Sequence, residues 1–503
     1  MIVAYYFFML NRSDDGLNSK KDDGGVDLPM RNKAIAFVNR NFSIFIYCFY
    51  VFCGAYLLCL ARSQSLLAMP TPGMDQLSML QAAVGVYRGK LPDAGYMYSP
   101  VYTLLLFIYV VLSHGDLVTM RIMQLLLCGL IPVFIYKLSL RLRLGKPAAQ
   151  ISALLYCFYG PALLVTLDFL RAAPLGLAFI VMVYYLITAF SGKNLIRYML
   201  VGVFAGLCIL GRENFAPVML APFFLLIFKD VRKYFKVRHG IGYIAGMGAI
   251  VLPVMIYNLV QFKSFAVVPG HMGNVIGAYH GQAAVADQWE AFKSIMRNIP
   301  QQGLNFISSY EIPRNLSYYA HREILNFLWI FIVPFNLVLV TACAALAFKF
   351  KNRGIFLILF LVFAYAGTML FFTMFYCFRV PVIPLLAVLS GGGCVAVVNA
   401  FKQKHIAQGI LAVCLIAAFF FATYMVPDKM RKSSERRSVA VFFINKGKYA
   451  AAEDYIDELH DKEIKTEKLE HYMIRALYKN NEKQWAGVLM KKWEPYVRQQ
   501  PQK

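Results

Sequence analysis

The 503-residue sequence is short of charge: Asp, Glu, Lys and Arg make up 16% of it, against 59% hydrophobic residues. A soluble surface cannot be assembled from so little charge, which leaves a polytopic membrane protein as the class to develop. Acids are the scarcer sign, 27 against 51 basic residues, for a formal net charge of +24. In a membrane protein that excess belongs on cytoplasmic loops, and this reading displaces nucleic acid as a partner. The hydrophilic stretches lack cysteine altogether, since Cys48, Cys53, Cys59, Cys128, Cys157, Cys208, Cys343, Cys377, Cys394 and Cys414 all fall in apolar runs. Neither a disulfide framework nor a zinc ribbon is expected. Rossmann and P-loop fingerprints are missing, as is any HExxH spacing, so no cofactor is expected and no divalent metal finds support in the residues. Also missing are the internal hydropathy repeat and the mid-membrane ionisable residues that transporters tend to show.

What is present is a series of apolar segments long enough, or nearly so, to cross a bilayer, at about 42–61, 120–138, 150–168, 172–190, 197–211, 215–228, 241–260, 326–347, 355–376, 380–400 and 407–426. The expected fold is therefore an all-α polytopic bundle of about 11 transmembrane helices. A twelfth apolar stretch, "YSPVYTLLLFIYVVLS" at 98–113, is short and opened by a proline. Reading it as interfacial or re-entrant, with a cytoplasmic N-terminus, places every basic cluster between spans inside: Lys137 to Lys146, Lys193 and Arg197, Lys229 to Arg238, Lys349 to Arg353, and Lys402 with Lys404.

That sidedness divides the chain. Residues 1–41 form a cytoplasmic, disordered tail, or follow a start codon set too far upstream; 42–426 are the membrane domain. Within it, 63–119 is a first outside loop carrying two surface helices, and 261–325 is a long outside loop of a length that favours function over mere connection. Residues 427–503 read as a small C-terminal helical domain whose "KGKYAAAEDYID" resembles tetratricopeptide units. It falls outside after eleven spans, although "DKMRKSSERR" directly follows the last of them. It is either a helical cap or a surface for a protein partner.

Four places could carry chemistry. Asp75 follows "TPG" at or near the start of an amphipathic helix, where backbone amides hold a carboxylate ionised. Such a group serves as a cap, and equally as an acceptor for the proton of an incoming hydroxyl or amine. "CILGRENFAPVML" joins two short apolar segments, so Arg212, Glu213 and Asn214 are expected to sit recessed, as an ion pair or as contacts to a phosphate or sugar. Asp168 and Arg171 stand at the outer end of a span, where a mutual ion pair is the default and a site role the alternative. Arg379 precedes a proline-opened span at the outer interface, placed either to snorkel or to clamp a lipid-borne phosphate. The long outside loop adds His271, Asn274, His280, Glu311, Arg314, His321 and Arg322.

Taken in order, "MDQLSMLQAAVGVYRG", "YSPVYTLLLFIYVVL", "GVFAGLCILGREN", "YNLVQFKSFAVVPGHMGNVIGAYHG", "YEIPRNLSYY" and "FRVPVIPLLAVLSG" resemble the membrane-embedded C-type (GT-C) glycosyltransferases. The similarity runs over about residues 42–426 and is strongest to glycosyltransferase family 39, with its protein O-mannosyltransferases and lipid A aminoarabinose transferase. The resemblance implies a polyprenyl-phosphate-linked sugar donor and a lipid, glycan or protein acceptor, joined with inversion at the extracytoplasmic face of a bacterial inner membrane. It also implies Asp75 as base and Arg212 and Arg379 as donor-phosphate contacts. The substrate-side candidates are Tyr98, Asp168, Arg212, Glu213, Asn214, His271, Asn274, Glu311, Arg314 and Arg379. Two departures stand out: "MYSP" keeps only Pro100 where relatives often have a basic or His residue before two prolines, and Gln76 follows Asp75 where several carry a second acid. Rival readings are a ligase or polymerase of the O-antigen type, using Arg and His of the 261–325 loop, and a transporter or scaffold.

Overall fold

The computed structural model describes residues 40–63, 75–90, 99–189, 194–227, 235–263, 265, 288–312, 318–349, 352–371, 375–403, 406–424, 440–441, 443–444, 447–461 and 469–495. Its contacts divide the chain into two units, residues 1–45 and 46–503. The first is described only from residue 40, so the predicted 1–41 tail lies almost wholly outside the described residues. Among the described residues every regular element is a helix. The protein is an all-helical integral membrane protein.

Helix α1 covers Phe42–Ser63, α2 Asp75–Tyr87 and α3 Pro100–Ser113. Then come α4 (Leu117–Cys128) and α5 (Leu130–Arg141), which together make a 25-residue apolar span. Helices α6 (Lys146–Cys157) and α7 (Gly160–Leu167) meet at a 57° bend, where the predicted 150–168 span breaks at Gly160–Pro161. Helices α8 (Ala172–Ala189), α9 (Leu195–Gly211) and α10 (Val237–Phe262) follow, then α11 (Gln288–Ile307) and α12 (Tyr318–Ile324) in the 261–325 loop. Helices α13 (Phe335–Lys349), α14 (Arg353–Met369), α15 (Ile383–Lys402) and α16 (Ile406–Tyr424) complete the membrane part.

Among the described residues six helical segments, or seven if the bent pair counts as one, are long and apolar enough to cross a bilayer. Helices α3, α9 and α14 are apolar but shorter. The 14 residues of α3 rise about 21 Å, less than the hydrocarbon thickness. The stretch anticipated as a span at 215–228 is not one α-helix. It runs as a 3-10 turn over Glu213–Leu220, a single α-turn at Ala221–Phe224 and a second 3-10 turn at Leu225–Ile227. Pro217 and Pro222 remove amide donors there, and the ladder cannot continue through them.

Small residues set the closest packing. Helix α9 lies on α10 and α13 on α15. A Cβ on Gly202 would strike the Tyr243 carbonyl, and one on Gly246 the Met199 carbonyl, so these two glycines let α9 and α10 approach backbone to backbone.

The C-terminal helices α17 (Tyr449–Asp461), α18 (Leu469–Lys479) and α19 (Lys483–Lys492) enclose their own core of Ile456, Leu459, Met473, Leu477, Leu489 and Trp493. His460 Nε2 and Glu470 Oε1 meet 2.8 Å apart inside it. Ile324, at the end of α12, packs against this core. The C-terminal helices and the 261–325 loop therefore share one side of the membrane part.

Candidate active site

Helix α2 starts at Asp75, which places the predicted helix start where the sequence put it to within the usual uncertainty of a helix end. One residue on, Gln76 is 1% exposed. Its Nε2 donates to Asp168 Oδ2 at 2.6 Å. Asp168 terminates α7 as its C-cap, and its other oxygen accepts the Phe169 amide at 2.9 Å. Helix α4 closes the cluster from below: Gln124 Nε2 donates to the Thr166 and Asp168 carbonyls at 2.9 and 2.6 Å. Arg121, on the same face of α4, donates through Nε to the Leu167 carbonyl and stacks on Phe169, 4.6 Å from the ring centroid.

The cluster continues into α3. Tyr102 donates to Gln124 Oε1 at 2.8 Å, and Ser99 caps α3 by accepting the Tyr102 amide. With Pro100 in the first turn, this is the expected start of a helix. The same Ser99 hydroxyl donates to the Leu210 carbonyl at 3.1 Å, and Arg171 donates to the Gly211 carbonyl at 3.3 Å. Both bonds tie the cluster to the end of α9, where Arg212 begins the turn into the 3-10 stretch.

That turn is recessed, as its sequence implied. Arg212 is 7% exposed, stacked over Phe378 at 4.1 Å, with Nη1 donating to Tyr365 Oη at 3.3 Å. Asn214 and Thr368 tie the turn to α14, Thr368 Oγ1 donating to the Asn214 carbonyl at 3.0 Å. Glu213 faces the other way and lines an almost wholly apolar cavity of about 800 Å³ with Ile209, Met219, Met247, Leu252 and Ile256.

Arg379 and Glu311 form a separate centre. Arg379 is fully buried and donates to the carbonyls of Ser308, Asn305 and Tyr310 at 2.8, 2.6 and 2.9 Å. Its guanidinium also lies over Phe335 and 3.6 Å from Glu311 Oε2. Glu311 Oε1 accepts from Tyr159 at 2.9 Å. Burial pushes the Glu311 carboxyl above its ordinary value, with Arg379 and the Tyr159 hydroxyl pulling it down. Arg379 is thus engaged in holding the 305–311 segment onto the bundle.

Asp168, Arg212 and Asn214 are brought into one contiguous network that begins beside Asp75; Glu213 adjoins it, and Glu311 and Arg379 belong to the second centre. Tyr98, His271, Asn274 and Arg314 lie outside the described residues. Among the described residues no group of three His, Cys, Asp or Glu comes together as a metal site would need. Sequence reasoning passed over Arg121 and Gln124, although two polar residues three apart in the apolar "LVTMRIMQLLLC" mark one inward face.

Residues 98–257 match the family described as dolichyl-phosphate-mannose-protein mannosyltransferase. The chain resembles a membrane glycosyltransferase. The matched stretch includes Asp168, Arg212, Glu213 and Asn214, while Asp75, Glu311 and Arg379 lie beyond it. No curated protein sequence matches the chain. Among solved structures it is similar to the archaeal oligosaccharyltransferase AglB from Archaeoglobus fulgidus, determined with an inhibitory peptide and a dolichol-phosphate. The identity is 12% and the TM-score 0.46, over 80% of this chain and 56% of that one. It is also similar to ArnT from Cupriavidus metallidurans bound to undecaprenyl phosphate, at 13% identity and a TM-score of 0.45, over 82% of this chain and 70% of that one.

Proposed function

We propose that this protein transfers a sugar from a polyprenyl-phosphate carrier to a lipid, glycan or protein acceptor at the extracytoplasmic face of a bacterial inner membrane. The observation that carries the reading is the run of hydrogen bonds from the first turn of α2, through Gln76, Asp168, Gln124, Tyr102 and Ser99, to the Leu210 carbonyl, two residues before the buried Arg212. It ties the helix start that carries Asp75 to the end of α9 that carries Arg212, and a carboxylate and a guanidinium are the groups that a base and a phosphate contact require. The apolar cavity beside Glu213 supports the same reading, because a lipid-linked donor needs an apolar bed next to its phosphate.

In this mechanism the acceptor hydroxyl or amine gives its proton to Asp75 as its oxygen or nitrogen bonds to the anomeric carbon. The bond from that carbon to the phosphate oxygen breaks from the opposite side, so configuration inverts. Its electron pair leaves with the polyprenyl phosphate, whose growing charge Arg212 stabilises. No nucleotide-binding domain is needed, since the lipid delivers the phosphate to the membrane surface. In this reading the C-terminal helices, which pack against Ile324 of the 261–325 loop, serve as the surface for a protein partner.

The test is transfer of radiolabelled sugar from polyprenyl-phosphate donors in membranes holding wild type or Asp75→Asn at matched expression. Wild type is expected to label an acceptor and the variant not. Equal labelling would leave Asp75 a helix cap and move attention to His271, His321 and Arg314 of the outside loop.

A further inference from the structure

Gln76 is a buried side chain whose chemistry is only half used among the described residues. A carboxylate can only accept, so the Gln76 atom 2.6 Å from Asp168 Oδ2 must be the amide nitrogen, which fixes the orientation of the whole amide. Its carbonyl, Oε1, is then buried with no hydrogen-bond partner among the described residues. The nearby donors are committed elsewhere: Gln124 Nε2 to the Thr166 and Asp168 carbonyls, the Tyr102 hydroxyl to Gln124, and Arg121 to the Leu167 and Leu117 carbonyls. A buried carbonyl that can only accept, on a side chain already fixed to a carboxylate through its other end, is left for a donor from outside the protein.

We propose that Gln76 is a substrate-binding and positioning residue, its Nε2 holding Asp168 and its Oε1 receiving an O–H or N–H of the bound substrate. This inference rests on the proposed transferase reading. A glutamine does here what a glutamate could not, because it offers Asp168 a donor at any pH and keeps an acceptor for the ligand. Its place one residue after Asp75 couples the seating of α2 to occupancy of the site. The titratable groups that act on Asp168 are Arg121 from α4, Tyr102 from α3 and Tyr376.

The experiment compares full-length wild type, Gln76→Met, Gln76→Glu and Asp75→Asn, purified in detergent, for Tm and for kcat and KM of labelled transfer between pH 5 and 9. Gln76→Met, near in volume but without polar atoms, is expected to lower kcat/KM by about 10-fold to 100-fold, the weight of one or two hydrogen bonds in a buried site. Gln76→Glu sets a second carboxylate against Asp168, so the pair holds its hydrogen bond only while it retains one proton. Its activity should approach wild type in acid and fall as pH rises, with a profile that wild type does not share. Wild-type kinetics in Gln76→Met, or a Gln76→Glu profile parallel to wild type with only Tm lowered, would overturn the inference while leaving the transferase reading standing. If wild type itself transfers nothing, or Asp75→Asn transfers as well as wild type, that reading fails and this one with it.

Discussion

The two buried charged centres differ in what holds them. Around Arg379, both terminal guanidinium nitrogens are given to loop carbonyls, and Glu311 takes an ion pair and a tyrosine hydroxyl, while Arg379 Nε and Glu311 Oε2 find no hydrogen-bond partner among the described residues. Around Asp168, the carboxylate is held by the Gln76 side chain and by a backbone amide, and the Gln76 carbonyl finds no partner among the described residues. Burying a polar group without a partner costs about 1–3 kcal/mol, so a chain tolerates it where something else supplies the partner. The first centre fastens loop backbone to the bundle through three carbonyls, whereas the second joins two side chains, one from the start of α2 and one from the end of α7.

The comparison can be broken in order of expected effect. Arg379→Met strips the outside loop of three hydrogen bonds and leaves Glu311 buried beside no cation, which should cost about 3–5 kcal/mol. A fall in Tm with activity lost in proportion to folded protein would mark it as structural; lost activity at unchanged Tm would make Arg379 a substrate contact after all. Asp168→Asn should do the opposite, holding Tm while lowering kcat/KM by about 10-fold to 100-fold, because one charge-assisted hydrogen bond to Gln76 is weakened.

Close packing offers a third test that touches neither centre. Gly246→Leu drives a side chain into the Met199 carbonyl and should destabilise by about 1–3 kcal/mol, read as lowered Tm with kcat preserved in the folded fraction.

Glu311→Gln sharpens the pH side of the comparison. Since the folded carboxyl is raised above its ordinary 4.5, it contributes stability that is fully present below that value and is lost as pH rises through the raised one. Tm of wild type should therefore carry a downward component above pH 4.5 that the variant lacks, and an identical Tm-against-pH curve would remove Glu311 as its source. The smallest effect belongs to the surface pair of the C-terminal helices. Lys492 meets Glu453 and Asp457 at 2.6 Å but is 43% exposed, so Lys492→Met should shift stability by less than about 1 kcal/mol.

Much of the membrane part was legible because apolar run length is a direct reading of bilayer thickness. The runs at 42–61, 120–138, 172–190, 241–260 and 380–400 each contain or overlap a helix long enough to cross. The stretch at 215–228 was misread because hydropathy does not register the loss of two amide donors at Pro217 and Pro222. Arg212 was legible because it interrupts an apolar run at a recognisable turn, whereas Arg121 and Gln124 were missed because they lie inside one apolar helix without a break to mark them. Arg379 shows the converse limit: a basic residue before a proline-opened helix reads as an interface clamp, and only the return of the outside loop buries it.

The sequence by itself determined the solvent this chain folds in, its helical class, and the resemblance to lipid-linked sugar transferases, because these follow from composition, run length and local order. Tertiary structure alone decided which polar groups meet. Gln76 and Asp168 lie 92 positions apart, and Arg379 and Glu311 are joined only when the outside loop folds back. Local periodicity carries no information about such distant pairings, whereas the low dielectric of the interior leaves a buried polar group little choice but to find its partner.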